Sequence, residues 1–296
     1  MQKEEISSWF QQLQDNICRQ IEATDGKARF EEDLWTRDAG GGGRTRIIQK
    51  GNILEKGGVL FSAVHGETPA NILRALHLEE AEFYATGVSI VMHPQSPMVP
   101  IIHMNVRYFE MSNGIKWFGG GIDLTPHYVE EADARFFHKK LKQACDTHHP
   151  SYYADFKQWA DDYFYIKHRQ ETRGIGGIFF DRLSATDDFS IEQRFRFVQS
   201  VGETFAPVYT YLMQKNAALS YGEPEKEWQM VRRGRYVEFN LVYDKGTKFG
   251  LDTEGRTESI LMSLPPQAQW HYNYQVQPGS REEKTMSLLK KGIDWV

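Results

Sequence analysis

"IIHMNVRYF", residues 101–109, sets His103, Asn105 and Arg107 on alternate positions, with Met104, Val106 and Tyr108 between them. A period of two is the signature of a β-strand. One face then carries an acid/base group, an amide and a permanent cation, and the other is apolar. Just upstream, "GVSIVMH" (87–93) alternates in the same way: Ser89, Val91 and His93 share one face, Val88, Ile90 and Met92 the other. The prolines of the intervening "PQSPMVP" remove ladder donors and cannot lie inside a strand. If the two strands pair, Ser89, His93, His103, Asn105 and Arg107 line one surface. A solvated sheet face is the plain alternative. Such a face usually takes Lys, Glu and Thr, whereas this one has two histidines, an asparagine and an arginine. Arginine holds a carboxylate through two parallel hydrogen bonds, so the surface suits an anionic ligand.

Outward from this pair, "NG" (113–114) signals a hairpin into the strand "IKWF". "RIIQKGNILEKGGVLFSAVHG" (46–66) reads as strands broken by glycine turns, and "DAGGGGRTR" (38–46) as a loop. Helical spacing of Ile6, Phe10, Leu13, Ile17 and Ile21 predicts a helix over 4–23. Helices are also predicted over 129–146 and 151–171. Another spans 190–222, opened by a Ser190–Gln193 capping box and kinked or divided at Pro207. "RYVEFNLVYDKGTKFGL" (235–251) reads as period two with a turn at "DKGT", "SILMSLPP" as a strand, and 280–291 as a terminal helix with its own capping box, Ser280 to Glu283. Hairpin connections dominate and βαβ alternation is absent. The expectation is an α+β fold, with residues 1–296 forming a single domain around a large antiparallel sheet covered by helices.

Composition narrows the function. The chain has 296 residues and a formal net charge of −5, which argues against a general nucleic-acid binder. Cys18 and Cys145 form no CxxC pair or disulfide framework, and a cytoplasmic location is expected. The amphipathic, acidic N-terminus does not read as a targeting peptide, and no apolar stretch reads as a transmembrane segment.

Three further features bear on chemistry. "WFGGGIDLTP" places Asp123 after a glycine triplet, which lets a ligand or another backbone come close. "AGGGGRTR" offers a glycine run beside Arg44 and Arg46 that could bind an anion, but lacks the GK[ST] and following helix of a P-loop. His93, His103, His138 and His168 are candidate metal ligands, yet no HExxH or other tight spacing is present, and the residues alone leave the metal question open.

Several long motifs, taken in order, resemble the oxygen-dependent coproporphyrinogen-III oxidase family. They are "GVSIVMHPQSPMVPIIHMNVRYF", "WFGGGIDLTP", "DDYFYIKHRQETRGIGGIFFD", "RRGRYVEFNLVYDKGTKFGL" and "GRTESILMSLPP". The resemblance runs from "AGGGGRTR" to the terminal "DWV". It implies oxidative decarboxylation of the ring A and B propionates of coproporphyrinogen III to vinyls in haem synthesis. O₂ is the co-substrate and there is no organic cofactor, in keeping with the lack of a flavin, haem or iron–sulfur fingerprint. It also implies a large antiparallel sheet flanked by helices on both faces, in a homodimer with 236–271 at or near the interface. By resemblance His103 is the proton donor, and Asp123 and Arg107 hold the macrocycle and a propionate. Ser89, Asn105, Val106, Arg107, Glu254, Gly255 and Arg256 contact substrate, with Glu254 standing where the family pattern has a small residue. His93, His103, His138 and His168 would bind a divalent, manganese-like cation. In chemical terms Asp123 would accept pyrrole N–H bonds from beneath the ring, while Arg107 and Arg256 at the rim would select the reacting propionate. A metal-dependent hydrolase and a non-catalytic tetrapyrrole-binding protein are the competing readings.

Overall fold

The computed structural model describes residues 1–68, 73, 81–252 and 255–296. Its centre is a seven-stranded sheet in the order β1-β2-β3-β4-β5-β6-β9, antiparallel at every step. The strands are β1 (Glu31–Thr36), β2 (Gly41–Gln49), β3 (Leu54–Glu67), β4 (Glu82–Pro94), β5 (Ile101–Met111), β6 (Lys116–Thr125) and β9 (Gly177–Leu183). A separate small hairpin pairs β7 (Tyr165–Ile166) with β8 (Glu171–Thr172).

The alternation in β4 and β5 sorts the sheet into two unlike faces. Val88, Ile90 and Met92 from β4 and Ile102, Met104, Val106 and Tyr108 from β5 are buried in one core. That core is completed by α1 (Lys3–Asp25) and α4 (Ile191–Asn216). Helix α1 forms because Ile6, Phe10, Leu13, Ile17 and Ile21 make one apolar stripe, and Gly26 ends it at φ 75°. Asp25 then ties the helix end to the β2–β3 turn by accepting the N–H groups of Ala28, Asn52, Ile53 and Leu54. Burial alone would raise its pKa; those four bonds hold the carboxyl below its usual range.

Helices α2 (Glu131–Asp146) and α3 (Tyr152–Tyr163) follow β6. The opposite face of the sheet is covered by α5 (Glu223–Val242) and the chain after it. Tyr236 and Met262 pack there on Val91 and Ile101. Two short helices, α6 (Lys245–Asp252) and α7 (Thr257–Leu261), come next, and α8 (Arg281–Leu288) starts at a Ser190-like cap in which the Ser280 side chain accepts from the Glu283 N–H.

Some local expectations fail for identifiable reasons. Residues 235–251 are helical apart from a break at 243–244, not strand. In the second half of α5 the buried side chains are Arg232, Arg233, Tyr236, Phe239 and Asn240, which follow helical spacing once two arginines are counted as interior. They can be interior because Glu171 and Glu55 pair with them. "SILMSLPP" opens as the end of α7, and the helix expected over 151–171 stops at Tyr163, ahead of the β7–β8 hairpin. The glycine run expected as a loop lies mostly in β2. A Cβ on Gly42 or Gly43 would collide with the main chain or ring of Trp35, so the glycines are what let β1 lie close. Arg44 and Arg46 offer no anion nest, since they pair with Asp15 and Glu32. Helix α4 runs through Pro207 undivided.

Candidate active site

The register of β4, β5 and β6 assembles the polar face in rows. Gly87, Arg107 and Gly119 are neighbours in one row, and Ser89, Asn105 and Gly121 in the next. Val91, His103 and Asp123 form a third, continued by Gly177 of β9. Cross-strand neighbours project to the same side, so Ser89, His103, Asn105, Arg107 and Asp123 share one surface. Along β5, His103, Asn105 and Arg107 are half-buried, while Met104, Val106 and Tyr108 between them are buried.

Gly119 and Gly121 are filled by protein. A Cβ at Gly121 would press on Phe179, and one at Gly119 would overlap the Asp181 carboxylate and lie 2.8 Å from Arg107 Nη2. The triplet thus lets side chains of β9 lean across β6. Arg107 uses that space: Nη2 donates to Asp181 Oδ1 at 2.7 Å and Nη1 to Asn105 Oδ1 at 2.7 Å.

Beneath the surface lies a charged chain. Asp123 is 2% exposed, and Arg173 Nη2 donates to both its oxygens, at 2.8 and 2.7 Å. Arg173 Nη1 donates to Asn240 Oδ1 at 2.8 Å. Its guanidinium lies 4.5 Å from the ring centre of Phe164 and 4.7 Å from those of Tyr236 and Phe239, an aromatic cage that suits a desolvated cation. Burial pushes the Asp123 pKa up, but Arg173 and the bond from His103 outweigh it and hold the carboxyl below its ordinary range. His103 Nδ1 stands 2.7 Å from Asp123 Oδ1. An ionised carboxylate only accepts, so Nδ1 carries the hydrogen and Nε2 presents a lone pair to the open side. The arrangement holds the His103 ring in one orientation against a buried carboxylate, the geometry that a general acid or base requires.

Both oxygens of Asp123 are engaged from within the protein, by Arg173 and His103, so the carboxylate is placed to orient His103. Arg173, Asp181 and Asn240 were not among the expected site residues. Arg173 lies 50 residues from Asp123 in the chain, and no spacing rule links them.

A model of the coproporphyrinogen III oxidase family matches residues 5–295. The chain belongs to the coproporphyrinogen III oxidase family. It is 47% identical to an oxygen-dependent coproporphyrinogen-III oxidase of Synechococcus sp. strain CC9902, over 96% of this chain and 85% of the relative. It is 46% identical, over the same shares, to the enzyme of that name from strain CC9605.

The remaining expected residues of this coproporphyrinogen oxidase family member are placed less uniformly. Val106 is buried on the apolar face, so only its main chain borders the polar one. Arg256 donates to Asp33 and lies over the Trp35 ring, beside Gly255. Asp33 is three strands from Ser89 along one row, through Thr45 and Leu60, or roughly 14 Å at ordinary strand spacing. Arg256 therefore stands at the far rim of the face, away from Arg107. Glu254 lies outside the described residues.

The histidines do not converge. His93 is fully buried, with Nε2 2.8 Å from the Ser263 carbonyl. His138 is held by Tyr153 Oη and the Ile175 carbonyl, both at 2.9 Å. His168 pairs with Glu238 at 2.6 Å and Tyr243 Oη at 2.8 Å. Among the described residues no group of three or more His, Cys, Asp or Glu could hold a metal ion. The expected quartet does not gather around one cation: each of the four has a ring nitrogen hydrogen-bonded to a different partner, Ser263, Asp123, Tyr153 with Ile175, or Glu238 with Tyr243.

Burial depresses the pKa of His93 to about 3 and of His138 to about 4. Both are neutral when folded and protonate near pH 6.5 when unfolded. The unfolded chain therefore binds more protons, and stability is lost as pH falls below that value. Urea unfolding at pH 7.5, 6 and 5 is expected to show a falling free energy. His138→Gln should flatten the slope, and an unchanged slope would place the titration elsewhere.

Proposed function

We propose that the chain catalyses oxygen-dependent oxidative decarboxylation of the ring A and B propionates of coproporphyrinogen III, giving the vinyl groups of protoporphyrinogen IX in haem synthesis. The observation that carries this reading is a half-exposed imidazole, oriented by a buried Asp–Arg pair, next to an arginine and an amide on the same face. Family membership supports it independently.

The chemistry divides simply. Each conversion removes a hydrogen from the propionate β-carbon and CO₂ from the carboxyl end, while O₂ takes up the two electrons and leaves as H₂O₂. The electron-rich pyrrole passes the two electrons to O₂ and regains them as CO₂ departs, so its nitrogen is reprotonated and the ring ends at its starting oxidation level. His103 Nε2 accepts the pyrrole proton whose loss starts attack on O₂. Arg107, with Asn105 and Ser89, holds a propionate by charge-assisted bonds and sets which side chain reaches the reacting position. Arg256 at the far rim holds a second carboxylate. No step is assigned to a metal.

One assay tests the reading. With reduced coproporphyrinogen, CO₂ and vinyl products are expected in air and neither under nitrogen. A hydrolase would be indifferent to O₂, and a carrier protein would bind without releasing CO₂.

In this reading residues 1–296 form one domain and the chain acts as a homodimer in the cytoplasm. Exposed Leu241, Val242, Phe249, Leu251 and Trp270 cluster in sequence within 236–271, the segment that the family resemblance puts at the interface. Light scattering should then give about twice the 34.3 kDa of one chain. Cys18 and Cys145 are buried free thiols, as in a reducing compartment. No helix among the described residues is long and apolar enough to cross a membrane.

A further inference from the structure

The Arg107–Asp181 pair is built by several local departures from regular structure. Phe118 and Gly120 of β6 face Leu183 and Phe180 of β9, so β9 carries an extra residue there. This is a β-bulge, a device that re-aims side chains. Within it Arg182 holds φ 51°, a left-handed conformation that a non-glycine residue adopts at a cost. The bulge lies beside Gly119, the position where a Cβ would overlap the Asp181 carboxylate. The result is a carboxylate on an arginine at the open face, with side chains 37% and 32% exposed.

An ordinary structural salt bridge at that exposure contributes little, and it neutralises the cation that an anionic substrate needs. We infer that Asp181 is the resting partner of Arg107: it occupies the guanidinium in the free enzyme, yields it to a substrate propionate, and reclaims it after the product leaves. This rests on the proposed function and deepens it. Exchange of one carboxylate for another is close to neutral in energy, so it opposes binding only mildly. Its advantage comes after reaction. Loss of the carboxyl as CO₂ leaves a neutral vinyl, and a half-buried arginine would then lack a counterion. Asp181 supplies one from within the protein, so the spent product has no ionic hold on Arg107. Asp181 is thus a positioning residue, acting through Arg107.

The role predicts an unusual direction of change: removing the charge of Asp181 tightens substrate binding. The test is fluorescence titration of the full chain with coproporphyrin III, which keeps the carboxylates and does not react, together with KM for coproporphyrinogen III. Asp181→Asn is expected to lower Kd and KM by about two- to five-fold, the range of an exposed ion pair. Asp181→Glu, which keeps the charge, is expected to stay close to the unaltered enzyme. Arg107→Ala should weaken binding, and adding Asp181→Asn to it should change nothing further. A merely structural role would loosen binding or leave it alone. If Asp181→Asn does either while Arg107→Ala still weakens binding, the resting-partner role is overturned and the site reading stands. If Arg107→Ala leaves Kd and KM unchanged, the site reading itself falls.

Discussion

Asp123→Asn is expected to lower kcat by roughly a hundred- to ten-thousand-fold, the contribution of a well-placed general base, with a much smaller change in KM. In the native arrangement the carboxylate accepts from His103 Nδ1 and leaves Nε2 free to take a proton. An amide can turn its N–H₂ toward Nδ1 instead. That stabilises the tautomer with hydrogen on Nε2, where a base needs a lone pair. The same change leaves the Arg173 guanidinium without a counterion in a site that is almost fully buried. A stability loss of about 3–5 kcal/mol is therefore expected alongside the kinetic effect. The two are separable: kcat is measured at a temperature where far-UV circular dichroism shows the variant folded. A kcat within threefold of the unaltered enzyme would remove Asp123 from the mechanism.

Arg173→Met should have its largest effect on stability, and should reverse the sign of one pH dependence. With Arg173 present, the folded-state pKa of Asp123 lies below its unfolded value. The pair then stabilises the fold above about pH 4, and that stability is lost as pH falls through the folded pKa. Met fills the aromatic cage formed by Phe164, Tyr236 and Phe239 without a charge. Burial then governs Asp123 and raises its pKa. A buried acid with a raised pKa binds its proton more tightly when folded, so its contribution declines as pH rises above about 4. The loss at pH 7 is expected to be about 3–5 kcal/mol, since an unpaired charge is left inside. At pH 4.5 the deficit should be markedly smaller. Urea titrations at both pH values decide it: an equal deficit means that Asp123 is not the titrating partner. Asp123→Asn combined with Arg173→Met should recover part of the loss, because the orphan charge is gone.

Periodic features were legible in the chain because they depend only on near neighbours. The alternation of 101–109 correctly separated His103, Asn105 and Arg107 from Met104, Val106 and Tyr108. The stripe of α1 and the Ser190 cap of α4 were readable for the same reason. The errors cluster where a distant partner changes what a residue counts as. Arg232 and Arg233 look like surface residues until Glu171 and Glu55 neutralise them, and without that the helix over 235–242 reads as alternation. Asp123 looked like a free acceptor because Arg173 reaches it from the turn after β8. The histidines looked like a possible set, yet each is claimed by a different element: His93 by Ser263, His138 by α3, and His168 by α5 through Glu238.

By itself, then, the sequence determined an antiparallel sheet with one apolar and one cationic, imidazole-bearing face, since strand period and proline placement are local properties. Tertiary structure alone decided which of those polar groups are free to act. Arg173 and Asp181 arrive from β-hairpin and bulge geometry far along the chain, and charge neutralisation in a buried site depends on distance in space, which spacing in sequence does not encode.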